Sequence, residues 1–224
     1  MPRANRYFLP GHVWHITHRC HKRQFLLKFA KDRRAWVCWL YQARRRYGLC
    51  VLNYVVTSNH VHLLVKDKGH GEIARSMQLI AGRVAQQFNR RKSRKGAYWE
   101  DRYHATAVQA EGHLARCMVY IDLNMVRAGA VEHPADWVYA GYNEIQSLPE
   151  RYRCIDISAL TQLLGFANAD SLRCTLREWV DLALLNGNLR RHPEWTQSIA
   201  VGQREYLEAI EHELKLCHPG RLIA

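Results

Sequence analysis

No apolar run in these 224 residues approaches the ~20 that a bilayer-spanning helix needs. The opening stretch, Met1-Pro2-Arg3-Ala4-Asn5-Arg6-Tyr7, lacks the apolar core of a secretory signal. The seven cysteines (Cys20, Cys38, Cys50, Cys117, Cys154, Cys174 and Cys217) are odd in number and scattered, with no C-x-x-C pair. That excludes a zinc ribbon and a disulfide framework, and fits reduced thiols, several buried as small apolar residues. No low-complexity stretch argues for wholesale disorder. These absences leave a soluble protein, expected in the cytoplasm. Acidic charge is also short: 20 Asp and Glu stand against 33 Lys and Arg, a net charge of +13. Such an excess points to a polyanionic partner, nucleic acid before an anionic membrane surface. The length fits one medium domain, or one domain with a small appendage, and 48% hydrophobic residues supply a proper core.

The clearest pattern is Thr57-Ser58-Asn59-His60-Val61-His62-Leu63-Leu64-Val65, after the apolar run Val51 to Val56. It reads as the second strand of a hairpin. A strand has a side-chain period of two, so His60 and His62 share one face, about 7 Å apart, while Val61, Leu63 and Val65 point into a core. Two imidazoles side by side make two corners of a metal site, although a histidine pair is often only structural or exposed. Around the hairpin, Val13 to His18 alternates as a first strand, followed by a basic loop from Arg19 to Arg23. Residues 31 to 47 carry apolar positions at helical spacing and end at Gly48. Gly71 to Asn89 repeats that pattern with Ile73, Met77, Ile80, Val84 and Phe88. The run Arg90-Arg91-Lys92-Ser93-Arg94-Lys95-Gly96 then reads as a loop, disordered when nothing binds it. Tyr98, Trp99 and Tyr103 follow it. Cations followed by aromatics suit single-stranded nucleic acid, but Trp99 reads equally well as a core anchor.

Tyr103 to Ala110 reads as a fourth strand and Gly112 to about Val126 as a third helix. The order β-α-β-β-α-β spells a ferredoxin-like α+β core: a four-stranded antiparallel sheet with two helices on one face. The added third helix can cross the open face that holds His60 and His62. On it, Tyr120 and Asn124 stand four residues apart and share a side. Asn124 then offers an amide oxygen as a third ligand, and Tyr120 brings a phenol beside whatever the metal polarises.

At these residues the chain resembles the single-tyrosine HUH-type transposases, in particular the REP-associated tyrosine transposases. The resemblance spans roughly residues 7 to 145. It rests on Pro10-Gly11-His12-Val13-Trp14-His15-Ile16-Thr17, on His60-Val61-His62, on Met77 to Arg91, on Trp99-Glu100-Asp101-Arg102-Tyr103-His104, and on Tyr120-Ile121-Asp122-Leu123-Asn124-Met125-Val126-Arg127-Ala128-Gly129. Met125 stands where that family usually has proline, which lets the helix run on towards Gly129. The resemblance implies a divalent ion, Mg²⁺ or Mn²⁺, held by His60, His62 and Asn124 on a scissile phosphate of single-stranded DNA. Tyr120 would attack phosphorus, form a 5′-phosphotyrosine and release a 3′-hydroxyl, a reversible step. A histidine-triad nucleotide hydrolase is excluded, because Leu64 stands where its third histidine belongs.

Charge and position single out Arg19, Lys22, Arg90, Arg91 and Arg102 as DNA contacts. The expected division is a transposase domain over 1–146 and a helical extension over 147–224. Helices in the extension are read at Ile157 to Leu164, Ser171 to Leu185 and Gln203 to Leu216. It would grip a hairpin stem, cover the site or only stabilise the domain. The expected function is cleavage and rejoining of hairpin-forming repeat DNA at the nucleoid, by a monomer or homodimer. The alternative is a non-catalytic protein that recognises palindromic repeats.

Overall fold

The computed structural model describes residues 9–187 and 189–217; Met1 to Tyr7, read above for a leader, lies outside them. β1 (Val13–Arg19), β2 (Cys50–Val56), β3 (His60–Lys66) and β4 (His104–Val108) alternate with α1 (Ala30–Tyr47), after β1, and α2 (Glu72–Arg91), after β3. The strands lie in the order β2-β3-β1-β4 and every pairing among them is antiparallel. This is the ferredoxin-like arrangement expected from the element order. A two-residue strand, β5 (Ala200–Val201), adds itself parallel to β4 at the sheet edge. The sequence signals only helices in the extension, because two residues carry no periodicity.

Directly opposed residues of an antiparallel ladder share a face. The register sets His62 opposite Thr17 and His60 opposite Arg19, and sets Thr17 opposite His104 and His15 opposite Thr106. One face of the sheet is therefore polar at its centre, with His15, Thr17, His62 and Thr106 all buried there. The other face carries Trp14, Ile16, Val61, Leu63 and Val65, each almost wholly excluded from solvent. α1 and α2 pack against each other and bury Trp36, Leu40, Ile73, Met77 and Ile80 in the same core. Gly48 ends α1 in the left-handed region (φ 72°), as its position in the sequence suggested.

The tyrosine helix departs from expectation. α3 (Gly112–Asp122) stops before Leu123, and α4 (Asn124–Arg127) follows at once. Ile121, Asp122, Leu123 and Met125 are all buried, which is more of the circumference than one straight helix can turn inward. The bend at Leu123 (φ −77°, ψ 4°) resolves the conflict. α4 runs to Arg127, and Gly129 (φ 65°) follows its end while Ala130 N–H donates to the Met125 carbonyl at 3.0 Å.

The basic run after α2 is tied rather than loose. Arg90 and Arg91 complete the helix, and Arg94 donates to Asn89 Oδ1 at 3.2 Å and to the Ala97 carbonyl at 2.9 Å. Tyr98 and Tyr103 are buried, and Trp99 stacks on His18 (centroids 4.0 Å) while donating to the Ala81 carbonyl at 3.0 Å. These aromatics pack into the fold.

Beyond α5 (Gly141–Gln146) come α6 (Ile157–Leu163), α7 (Ala169–Leu185), α8 (Glu194–Gln197) and α9 (Arg204–Cys217). This part is bound into the core. Glu144 accepts from the Cys154 and Ile155 amides at 2.6 and 2.7 Å, and Ile155 bridges to Val51 of β2. α3 runs against β2, and α8 against β1 and β4. Among the described residues no helix is long and apolar enough to cross a membrane.

Candidate active site

The polar face of the sheet opens into a cleft of about 770 Å³. His60 and His62 of β3, Tyr120 of α3 and Asn124 of α4 all line it. The two imidazoles meet edge to face with centroids 4.9 Å apart, and the Tyr120 ring stands edge-on to His62 at 5.9 Å. His62 Nε2 lies 3.0 Å from the Asn124 side-chain amide nitrogen. The sequence expectation was that Asn124 would present its oxygen; half a turn of the amide about its own axis exchanges the two.

Each histidine is held from behind. His60 Nδ1 donates to Asn59 Oδ1 at 2.7 Å and lies 3.0 Å from Thr57 Oγ1. The Thr57 hydroxyl spends its own proton on the His60 carbonyl (2.8 Å), so its lone pair faces the ring. His62 Nδ1 lies 2.8 Å from His15 Nε2. Burial, with Arg19, Arg191 and Arg127 nearby, pushes the His60 imidazole down to about 4. Burial and the neighbouring His60 and His15 hold His62 well below the ordinary imidazole range. Both rings are therefore neutral, the form that ligates a metal.

Among the described residues no group of three His, Cys, Asp or Glu side chains could hold a metal ion. An ion here needs the Asn124 amide beside the two imidazoles. That N₂O donor set fits a divalent ion such as Mg²⁺ or Mn²⁺, with other positions left for water and phosphate.

Cations ring the cleft. Arg19 stands directly across the ladder from His60, and Arg23, Arg127 and Arg191 line the walls. The Arg127 guanidinium sits 4.2 Å from the Tyr120 ring centroid and also donates to the Tyr120 carbonyl. Burial raises the Tyr120 phenol above its ordinary pKa, while Arg127, Arg191 and Arg19 oppose that shift. The phenol is protonated at rest.

A family model described as "Transposase IS200 like" matches residues 10–124, just over half of the 224. The chain belongs to the IS200-like transposases. The matched span begins before β1 and ends at Asn124, so it contains both histidines and the tyrosine. The solved structure of a REP-associated tyrosine transposase bound to a REP hairpin shares its fold. The TM-score is 0.52 at 19% identity, over 71% of this chain and 96% of that one. A Deinococcus radiodurans protein described as a transposase aligns at a TM-score of 0.38 and 17% identity, over 54% of this chain and 95% of that one, too loosely to carry an argument. No curated protein gives a significant match.

Of the cations proposed from sequence, Arg19 lines the cleft of this transposase; Lys22, Arg90, Arg91 and Arg102 do not. Arg91 pairs with the buried carboxylate of Asp32, tying the end of α2 to the start of α1. Sequence reasoning missed Arg23, Arg127, Arg191 and His15. Arg127 had a signal, since it continues the stripe of Tyr120 and Asn124 at the next helical step. His15 needed the strand register, and Arg191 is brought in from a segment far along the chain.

Proposed function

We propose that this chain is a metal-dependent single-tyrosine nuclease and strand transferase of single-stranded DNA. The observation that carries the reading is convergence. His60 and His62, and Tyr120 and Asn124 some sixty residues later, share one cleft whose walls bear Arg19, Arg23, Arg127 and Arg191. Tyr120 Oη attacks a backbone phosphorus and loses its proton. The bond from phosphorus to the 3′ oxygen breaks, that oxygen leaves as a hydroxyl, and the 5′ side stays on the enzyme as a phosphotyrosine. Attack by a 3′-hydroxyl reverses the step, so cutting and rejoining use one site. His60, His62 and Asn124 would hold Mg²⁺ or Mn²⁺, which when bound would supply polarisation of the scissile phosphate. Arg127, placed over the phenol, favours the phenolate that chemistry requires, and the remaining arginines offset phosphate charge.

Hairpin-forming repeats are the proposed target, by analogy with the REP hairpin carried by the transposase of shared fold. Residues 1–146 carry the chemistry, and 147–224 close the cleft through Arg191, His192 and Pro193. The protein works on nucleoid DNA in the cytoplasm, as a monomer or homodimer. The test uses labelled single-stranded hairpins from repeats flanking its own gene, incubated with Mn²⁺, Mg²⁺ or EDTA. Cleavage with metal and none with EDTA is expected. Tight binding without cleavage under either metal would favour a non-catalytic repeat-binding protein.

A further inference from the structure

His15 lies on β1, wholly buried, between the sheet and the segment that carries α8. Its two ring nitrogens are both engaged. Nδ1 is 2.8 Å from the Trp195 backbone carbonyl, and Nε2 is 2.8 Å from His62 Nδ1. A carbonyl has no proton to give, so His15 Nδ1–H donates to it. A neutral imidazole carries one proton, so His15 Nε2 is left as an acceptor. Two facing lone pairs cannot bond; His62 Nδ1–H therefore donates to His15. His62 Nε2 is then the lone pair, and it is the nitrogen that faces Asn124 and the cleft. The chain of donors and acceptors is determined from its one end that has no choice, the carbonyl of Trp195.

We propose that His15 is a positioning residue: anchored on the Trp195 carbonyl, it fixes the tautomer and ring orientation of His62 so that Nε2 is offered to a divalent ion. The inference rests on the reading of His60 and His62 as ligands. Second-sphere partners of this kind orient a ligating histidine and raise its basicity. Here the far end of the relay is backbone from the C-terminal third, so this segment sets the chemistry of β3 without placing a side chain on the metal. Thr17 Oγ1, 3.4 Å from His62 Nδ1, is too distant to replace His15.

The first experiment needs neither metal nor DNA. Long-range proton–nitrogen spectra of metal-free, histidine-labelled full-length protein report which nitrogen of His62 is protonated. The expected proton is on Nδ1; a proton on Nε2 overturns the proposal. The second is Mn²⁺ binding by calorimetry. His15→Leu keeps an apolar filler but loses the acceptor, and is expected to weaken Mn²⁺ binding about 10- to 100-fold. His15→Gln supplies an amide oxygen where Nε2 stood, and is expected to restore most of the affinity. A folded His15→Leu that binds Mn²⁺ as the wild type does overturns the relay alone. Wild-type protein that takes no Mn²⁺ overturns the ligand reading itself. Should His15→Leu fail to fold, the wild-type spectrum and the Gln variant still decide.

Discussion

Tyr120 and Asp122 are two residues apart on α3 and point to different worlds. Tyr120 faces the cleft beneath Arg127; Asp122 is fully buried with one partner, Asn53 Nδ2 at 2.9 Å, and its second oxygen has no hydrogen-bond partner. The roles separate on substitution. Tyr120→Phe removes the proposed nucleophile and almost no volume, so cleavage is expected to be abolished while hairpin binding stays within roughly threefold, as for a group used only in the chemical step. Gel-shift titration beside a cleavage assay checks this, and binding lost in step with cleavage would contradict it. Burial pushes the Asp122 carboxyl up to about 7. A carboxyl raised above its unfolded value contributes stability below the unfolded pKa and loses it as pH rises through the folded one. Asp122→Asn is neutral at all pH, so relative to wild type it gains stability on alkalinisation. The gain expected between about pH 5 and about pH 8.5 is at least about 1 kcal/mol, since each pKa unit is worth roughly 1.4 kcal/mol. Urea unfolding at the two pH values measures it; an equal difference at both would exclude an ionising Asp122.

Most elements were legible because their periods are strong. The alternation around His60 and His62, the apolar stripes of α1 and α2 and the Gly48 stop all appear where the pattern puts them. What was not legible depends on competition among neighbours. The break at Leu123 arises because four nearby residues are pulled into the core at once, a demand that i, i+4 reasoning about Tyr120 and Asn124 does not see. The same tightness governs α5, where a Cβ on Gly141 would strike Asn53 Oδ1 and lie 3.1 Å from the Tyr54 amide nitrogen. Asn53 is the residue that holds Asp122: its Nδ2 donates to the Asp122 carboxyl, and its Oδ1 accepts from the Tyr54 amide at 2.8 Å. Gly141→Ala should therefore destabilise by about 1–3 kcal/mol, as overpacked sites do. A thermal melt unchanged from wild type would show that β2 can yield there.

Over the whole molecule the surplus of positive charge was plain, but its useful part was not. Charge and position pointed to Arg19 and to the run after α2; folding pairs Arg91 with Asp32 and Arg94 with Asn89, keeps Arg19 at the cleft, and brings Arg23, Arg127 and Arg191 beside it. Composition records how much charge there is; only the packing of the C-terminal third onto the sheet says where it concentrates. If these arginines contact phosphates, Arg191→Ala should flatten the salt dependence of hairpin binding by about one counterion. Arg91→Ala should act mainly on stability, by stranding the buried Asp32. A salt slope unmoved by Arg191→Ala would remove that residue from the interface.

The central claim is that Tyr120 is joined to the 5′ end of a cleaved strand. The most direct measurement is mass spectrometry of the protein after reaction with a single-stranded hairpin and Mn²⁺, followed by nuclease and protease digestion. The account predicts a nucleotide 5′-phosphate on the peptide containing Tyr120, absent with EDTA and absent in Tyr120→Phe. Cleavage without any protein-bound nucleotide, or an adduct on another residue, would contradict it.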